Sequence, residues 1–296
     1  MKFNTVGVIG IGTIGSGVVA DLVLHGISVI AVDLSETALD RARAEILKAV
    51  RFAPMFAKGA RKLTRDEALA LITFTTRLED VRACEFIVEN VFEEWAVKQP
   101  LYRQLDEIAP AGVCFGANTS CISITRLGRA TRRPDKVVGM HFMNPVHLMP
   151  TVEVIRGHHT SAETIANVTQ LFAQLKKEAV MVGDLPGFVS NRISHVFMNE
   201  AAFVFQDGLA TAAQIDAIFR KCFGHKMGPL ETADLIGLDT VVRSLDVLYD
   251  SFQDPKFRCC PLLRKMVDAG ECGIKSGRGF HAYPGASNQP RREPSS

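Results

Sequence analysis

His141 and Glu153 are the two side chains whose types best suit proton transfer. They lie in the short segments Met-His141-Phe and Val-Glu153-Val, both otherwise apolar. A neutral imidazole can accept the proton of an alcohol near physiological pH. A carboxylate on the far ring nitrogen fixes the tautomer and stabilises the imidazolium that forms. Taken singly, such residues are more often a core histidine and an edge-strand glutamate, so the interpretation depends on their neighbours.

Two further polar side chains accompany this pair. Ser120 and Asn191 each lie in a short polar segment between apolar runs. A hydroxyl and a carboxamide can hydrogen-bond an oxygen in either its alcohol or its ketone form. The four residues together indicate acid/base chemistry at a carbon–oxygen group. No metal site is expected, because the nearby histidines lack a carboxylate or cysteine pattern; we interpret His147, His158 and His159 as surface or loop residues.

A glycine-rich turn, GxGxxG, separates the first predicted strand from the first predicted helix. Its glycines permit a tight turn, close approach of a pyrophosphate, and close packing of helix on strand. Asp33 ends the second predicted strand, where a carboxylate can bind both adenine-ribose hydroxyls and would repel a 2′-phosphate. The alternative is that Asp33 caps the following helix. We expect NAD rather than NADP, bound by Gly10, Gly12, Thr13, Ile14, Gly15 and Asp33.

Short apolar runs alternate with helix-like segments over the first two thirds of the chain. This alternation predicts an α/β fold, a doubly wound (Rossmann-type), mostly parallel sheet with helices on both faces. After Asp184-Leu-Pro-Gly187, helical patterns dominate and predict a second, smaller all-helical domain. We expect an NAD-binding domain over 1–186, a helical substrate and dimerisation domain over 187–283, and a disordered tail over 284–296. The predicted strands are Val6–Ile9, Ser28–Val32, Ile72–Thr75, Phe86–Val91, Val113–Ala117, Val137–Phe142, Val152–Ile155 and Ala179–Val182.

Composition narrows the class of protein further. Lys plus Arg number 34 and Asp plus Glu 32, so no nucleic-acid partner is expected. The seven cysteines form no CxxC pair, which predicts free thiols in a reducing compartment. No apolar stretch has membrane-spanning length and no signal-peptide pattern opens the chain. We therefore expect a cytoplasmic protein with no membrane partner.

The motifs, in this order and spacing, resemble the 3-hydroxyacyl-CoA dehydrogenase family, and within it 3-hydroxybutyryl-CoA dehydrogenases. The resemblance runs from residue 5 to about residue 283 and includes Met227-Gly-Pro-Leu-Glu-Thr-Ala-Asp234 and Lys275-Ser-Gly-Arg-Gly279-Phe280. It implies NAD-dependent oxidation of an L-3-hydroxyacyl thioester, short chain favoured, or the reverse reduction. By resemblance His141 and Glu153 are the acid/base pair, Ser120 and Asn191 hold the substrate oxygen, and Glu93, Lys98 and Asn118 lie beside the nicotinamide and its ribose.

A basic segment lies between the second and third predicted strands, with five cations and no acid from Arg51 to Arg65. In the resembled family this region contacts coenzyme A. The cations suit the phosphates of coenzyme A, and they also suit the acidic surface of an acyl carrier protein, as in polyketide extender-unit biosynthesis. A solvated helix face is the remaining alternative. The candidate carrier contacts are Arg51, Lys58, Arg61 and Lys62.

Interpretations from other classes stay open. The superfamily also contains sugar-acid dehydrogenases and NAD-binding proteins with a structural role in the lens, so fold alone does not prove thioester chemistry. The presence of all four catalytic positions weighs against a purely structural role. The strongly apolar helical segment 193–205 predicts a homodimer. Pro54 is expected to interrupt the helical region that contains the basic segment.

Overall fold

The computed structural model describes residues 2–56 and 61–284, so Lys58 and most of the predicted tail lie outside the described residues. Contacts along the chain divide it after Phe188 into two compact units. We call them unit 1 and unit 2 and describe each by itself.

Unit 1 contains an eight-stranded sheet with the strand order β3-β2-β1-β4-β5-β6-β7-β8. All neighbouring strands are parallel except β6 and β7, which are antiparallel. Each predicted strand coincides with an observed one to within two residues at either end. The strands are β1 Thr5–Ile9, β2 Ser28–Val32, β3 Ile72–Thr75, β4 Phe86–Glu89, β5 Cys114–Ala117, β6 Val137–His141, β7 Thr151–Arg156 and β8 Glu178–Gly183.

Helices cover both faces of this sheet, because the central strands are apolar on both sides. One buried cluster joins the sheet to α1, α2 and α6, and a second joins the opposite face to α4 and α5. The prediction of a doubly wound α/β domain is confirmed. The helices of unit 1 are α1 Thr13–Leu24, α2 Glu36–Phe56, α3 Arg65–Leu69, α4 Trp95–Ile108, α5 Ile124–Arg129 and α6 Ala162–Gln174, with short 3₁₀ turns at Leu78–Ala83, Pro134–Lys136 and Val146–Leu148.

The interruption expected at Pro54 is wrong, since α2 continues through it to Phe56. Proline lacks the N–H that would bond to the carbonyl four residues earlier. Here it lies in the last turn, so only one hydrogen bond of a long helix is lost. Val50 and Ala53, both buried on the same face, keep this turn packed on unit 1.

Unit 2 is helical over its described residues. Its core combines the apolar faces of α7, α9, α10 and α11, with a smaller cluster around α8. Buried carboxylates fix its turns: Asp216 accepts from the backbone N–H of Leu230 and Glu231, and Asp234 accepts from Phe280 and His281. The helices are α7 Ser190–Gln206, α8 Ala212–Phe223, α9 Pro229–Ile236, α10 Leu238–Phe252 and α11 Pro261–Asp268, with 3₁₀ turns at Pro255–Phe257 and Ile274–Ser276.

Three further findings concern the described residues only. None of their helices is both long and apolar enough to cross a membrane. They contain no cluster of three or more histidine, cysteine or carboxylate side chains arranged to hold a metal ion. All seven cysteines are free thiols, as the sequence predicts.

Candidate active site

The glycine-rich turn follows β1 at the point where the strand order of the sheet reverses. Strand β1 pairs with β2 on one side and with β4 on the other, and such switch points are where open α/β sheets bind ligands. Gly10 has φ +79°, and a Cβ there would lie 2.8 Å from the backbone of Asn90. A Cβ on Gly15 would lie 2.0 Å from the Gly10 carbonyl oxygen. Both glycines are therefore required by the close packing of this turn.

Gly12 differs from these two glycines, because a Cβ there would meet nothing within 4 Å. It precedes α1, and no side chain caps the first turn of that helix. Thr13 is exposed, and Ile14 is half-buried against the core. Free N–H groups at a helix N-terminus favour an anion. Open space beside uncapped N–H groups is what a pyrophosphate requires, so the residues of this turn fit a dinucleotide.

Asp33 lies just beyond β2 and faces the same turn. Its Oδ2 accepts a hydrogen bond from the Ile11 N–H at 2.7 Å, and its Oδ1 accepts from the Leu34 N–H at 2.7 Å. The following helix is capped by Ser35 instead, whose Oγ accepts from the Ala38 N–H. The alternative interpretation of Asp33 as a helix cap is therefore wrong, and its carboxylate is held at the edge of the predicted ribose site.

His141 and Glu153 face each other across the single antiparallel strand pair of the sheet. They are direct partners in the β6–β7 register, and His141 Nδ1 lies 2.7 Å from Glu153 Oε2. On the other side of the ring, Nε2 lies 3.1 Å from the Ser120 Oγ. The Phe188 ring packs edge-on against the imidazole at 5.6 Å. His141 is 5% exposed, so the imidazole is oriented by contacts on every side.

Glu93 shapes the segment that carries Ser120. One of its carboxylate oxygens, Oε1, accepts from the hydroxyl of Thr119 and from three successive backbone N–H groups, those of Ser120, Cys121 and Ile122. Such a set of donors holds the turn in one conformation. Burial raises the pKa of the neighbouring Cys121 thiol to about 12, so this cysteine is a packing residue and not an activated nucleophile.

Lys98 is fully buried inside unit 1. Its ammonium donates to Glu89 Oε1 at 2.6 Å and to the Asn118 carbonyl oxygen at 2.9 Å. Burial raises the pKa of Glu89, and the adjacent Lys98 ammonium opposes this shift. The Asn118 side chain accepts in turn from the Phe142 N–H, the residue after His141. Lys98 thus connects the ends of β4 and β5 from beneath the site.

Two further side chains that contact the segments of the candidate site, Glu89 and Asp184, are not among the residues that the sequence predicts for it. Glu89 is the one charged residue in the apolar run Phe86–Glu89, and this contrast is a usable signal. Asp184 accepts from the backbone N–H groups of Ile124 and Thr125 and so anchors the start of α5. In the sequence, Asp184-Leu-Pro-Gly187 indicates a domain boundary and gives no signal for this contact.

The remaining predicted site residues are described by the unit to which each belongs. Asn191 belongs to unit 2, in the first turn of α7. Arg51, Arg61 and Lys62 are exposed residues of unit 1, whereas Lys58 lies outside the described residues. A groove of about 630 Å³ runs beside α2, with the cations Arg43, Lys48, Arg51 and Arg65, the apolar Leu47, Val50, Phe52 and Leu63, and also Asp40, Ala44 and Thr64 along its walls.

Comparison with known proteins agrees with this geometry. A family model described as "3-hydroxyacyl-CoA dehydrogenase, NAD binding domain" matches residues 5–185. A second, described as "3-hydroxyacyl-CoA dehydrogenase, C-terminal domain", matches residues 187–283.

Similar proteins cover nearly the whole chain. A probable 3-hydroxybutyryl-CoA dehydrogenase of Deinococcus radiodurans is 42% identical over 283 residues, which are 96% of this chain and 100% of that protein. The 3-hydroxybutyryl-CoA dehydrogenase of Clostridioides difficile is 40% identical over 93% of this chain and 98% of its own. The solved structure of (S)-3-hydroxybutyryl-CoA dehydrogenase from Ralstonia eutropha has a TM-score of 0.89 at 40% identity, covering 95% and 99% of the two chains. With both family models matched and the dinucleotide turn in place, the chain belongs to the 3-hydroxyacyl-CoA dehydrogenase family and is an NAD-dependent oxidoreductase.

Proposed function

We propose that this enzyme oxidises an L-3-hydroxyacyl-CoA of short chain, such as 3-hydroxybutyryl-CoA, to the 3-oxoacyl thioester, and catalyses the reverse reduction. The observation that carries the proposal is the hydrogen-bonded chain Ser120–His141–Glu153 in a member of this family. Relatives at about 40% identity are 3-hydroxybutyryl-CoA dehydrogenases by name, which favours a short acyl chain.

His141 is the general base in the oxidation. With a hydrogen on Nδ1, donated to Glu153, its Nε2 is free to accept the proton of the C3 hydroxyl. Bound NAD supplies the acceptor for the hydride that leaves C3. In the reduction the His141 imidazolium returns the proton to the developing alkoxide. One residue thus serves both directions, with its tautomer set by the carboxylate.

Glu153 and Ser120 complete the proposed chemistry. The Glu153 carboxylate stabilises the imidazolium that forms when His141 accepts the proton. The Ser120 hydroxyl, 3.1 Å from Nε2, lies where it can donate to the substrate oxygen. Asn191 is proposed, by family resemblance, to bind the same oxygen with its carboxamide. Glu93 and Lys98 are proposed to act on the cofactor side by holding the Ser120 turn and the Asn118 backbone in place.

The groove beside α2 is the proposed site for the thioester carrier. Its cations suit the phosphates of coenzyme A, and its apolar residues suit the adenine and pantetheine parts. Arg61 and Lys62 are exposed and come directly before the groove residue Leu63 in the chain. An acyl carrier protein would present acidic side chains to the same cations, so the carrier must be tested directly.

The decisive assay follows NADH consumption with three substrates: acetoacetyl-CoA, the same acyl group on an acyl carrier protein, and a free 3-oxo acid. We expect fast turnover of the coenzyme A ester only. Turnover only of the acyl group on the acyl carrier protein would indicate a role in polyketide extender-unit biosynthesis. Turnover restricted to the free acid would overturn thioester chemistry.

A double variant, Arg61→Gln with Lys62→Gln, tests the carrier site. We expect the KM for acetoacetyl-CoA to rise about tenfold while kcat is kept, because exposed charge pairs contribute about 0.2–1 kcal/mol each and about 1.4 kcal/mol corresponds to a factor of ten. Arg103→Gln is the matched control, since Arg103 is an exposed cation on α4. An unchanged KM in the double variant would exclude these cations from carrier binding.

We also propose that the enzyme is a homodimer in the cytoplasm. Unit 2 exposes large apolar side chains, including Ile193 at 65%, Leu209 at 79% and Phe223 at 66%, and apolar surface of this kind is typical of subunit interfaces. Light scattering coupled to gel filtration should give twice the chain mass of 32.4 kDa. A species of single-chain mass at micromolar concentration would contradict the proposal.

A further inference from the structure

Lys177 is a buried cation that the proposed chemistry does not use. Its side chain is 4% exposed, and its ammonium lies 3.2 Å from Asp21 Oδ2. The same ammonium donates to the carbonyl oxygens of Val146, at 2.7 Å, and Met149, at 2.5 Å. A lysine ammonium has three N–H donors; two of them are directed at these loop carbonyl oxygens, and the Asp21 carboxylate lies within ion-pair distance.

The groups that surround the Lys177 ammonium belong to two segments that adjoin the candidate active site. Val146 and Met149 lie in the loop 142–150, which joins β6 to β7 and so connects His141 to Glu153. Asp21 lies in α1, the helix that begins at the dinucleotide turn. The loop also packs closely on α1, because a Cβ on Gly17 would come within 3.0 Å of the Val146 side chain. Lys177 therefore ties the catalytic loop to the cofactor helix.

Packing alone does not explain this arrangement. Burying two charges has a large desolvation cost, and apolar side chains of similar volume commonly replace such pairs without loss of stability. Two histidines flank the pair: His25 Nδ1 lies 3.5 Å from Asp21 Oδ1. Burial, and in second place the Lys177 ammonium, lowers the pKa of the half-buried His147. An ammonium that donates hydrogen bonds to two loop carbonyls can fix the conformation of the loop, whereas an apolar residue cannot.

We propose that Lys177 is a positioning residue for the His141–Glu153 pair, with Asp21 as the counter-charge that lets the ammonium remain buried. The proposal rests on the proposed function, since it assigns the loop a role in that acid/base pair. Lys177 fixes the loop 142–150, the loop fixes the ends of β6 and β7, and the two strands set the distance between the imidazole and the carboxylate.

Three variants separate positioning from stability. Lys177→Met keeps the side-chain length and removes all three donors. Asp21→Asn keeps an acceptor for Lys177 and removes the charge. The double variant, Lys177→Met with Asp21→Asn, removes the hydrogen bonds to the loop without leaving an unpaired buried carboxylate. Melting temperature, kcat and the KM values for acetoacetyl-CoA and NADH are measured for each variant. Lys176→Met is the control, because Lys176 is the adjacent, exposed lysine.

We expect Lys177→Met to lower both melting temperature and kcat, the latter by at least about tenfold, since misplacing a reacting group by 1 Å can reduce the rate about a hundredfold. Both KM values should change much less. The double variant should recover melting temperature and keep the low kcat, and Asp21→Asn should lose less kcat than Lys177→Met. If kcat in the double variant recovers together with melting temperature, or if Lys177→Met keeps the wild-type kcat, the positioning role is overturned.

A readout independent of turnover keeps this test separate from the proposed function. The hydrogen-bonded Nδ1–H proton of His141 should give a downfield resonance that exchanges slowly with water while Glu153 holds it. We expect faster exchange in Lys177→Met and in the double variant, and wild-type exchange in the control. If the wild type turned over no thioester, the proposed function would fail, whereas equal exchange in all variants would contradict the positioning role itself.

Discussion

His141 has a polar partner on each ring nitrogen, Glu153 on Nδ1 and Ser120 on Nε2. The carboxylate side fixes which nitrogen carries the hydrogen in the neutral ring. The serine side leaves the reactive nitrogen next to a hydroxyl that can change from donor to acceptor as the proton moves. This asymmetry makes one residue suitable as base and as acid.

The substitution His141→Gln should lower kcat by about 10²–10⁴-fold, the usual contribution of a general acid/base. Glutamine keeps a hydrogen-bonding group of similar reach, so folding and NADH binding should be retained. Steady-state kinetics and NADH fluorescence titration measure the two effects. A well-folded variant with near-normal turnover would remove His141 from the mechanism.

Residue types in the sequence predict which polar side chains lie together at the candidate site, but not all of their contacts. His141, Glu153 and Ser120 could be selected because each is polar in an apolar segment, and the structure brings them together. Lys98 was expected beside the nicotinamide, yet its ammonium is buried against Glu89 and the Asn118 carbonyl. Where a long side chain points depends on tertiary neighbours, which sequence spacing does not contain.

At the scale of elements, the turn between β1 and α1 shows two different reasons for glycine. Gly15 has no room for a side chain, because its Cβ would overlap the Gly10 carbonyl oxygen. Gly12 has room and an ordinary backbone conformation, with φ −73°. Gly15 is required by the fold itself, whereas we expect Gly12 to be required by the close approach of a dinucleotide.

Two alanine substitutions should therefore have opposite effects. Gly15→Ala should destabilise unit 1 by about 1–3 kcal/mol, as overpacked core positions do. Gly12→Ala should leave the free energy of unfolding nearly unchanged and weaken NADH binding. Chemical denaturation and NADH titration of both variants provide the comparison. Equal destabilisation by the two substitutions would contradict this distinction.

Elements were predictable where local pattern decides them. The strands are short apolar runs, most of them with β-branched residues, so their positions could be predicted to within two residues. Pro54 was misjudged, because a proline in a last helical turn costs one hydrogen bond and neighbouring packing outweighs it. The antiparallel pairing of β7 with β6 could not be predicted, since Thr151–Arg156 has the same apolar character as the strands that pair in parallel.

At the scale of the whole molecule, the buried Asp21 affects how stability depends on pH. Burial raises its pKa from 3.8 to about 6, although Lys177 and His25 act in the opposite direction. Between these values the folded protein keeps a proton that the unfolded chain has released. The contribution of Asp21 to the free energy of unfolding therefore falls as pH rises from about 4 through 6.

The variant Asp21→Asn isolates this contribution from that of the other acids. When the pH rises from about 4 to about 7, the free energy of unfolding of the variant minus that of wild type should increase by about 2–3 kcal/mol. Each unit of pKa shift corresponds to about 1.4 kcal/mol. Urea denaturation of both proteins at both pH values measures the difference. A parallel pH dependence of the two proteins would contradict the assignment.

The register of β6 with β7 also limits how this site can change in evolution. Because His141 and Glu153 are cross-strand partners, backbone hydrogen bonds hold their Cα atoms at a fixed separation. Aspartate at position 153 would be shorter by one methylene, and the strand could not move closer to compensate. Inserting one residue into β7 ahead of Glu153 would turn its side chain to the opposite face of the sheet. Drift in this part of the sequence is therefore confined to changes that preserve both side-chain length and strand register.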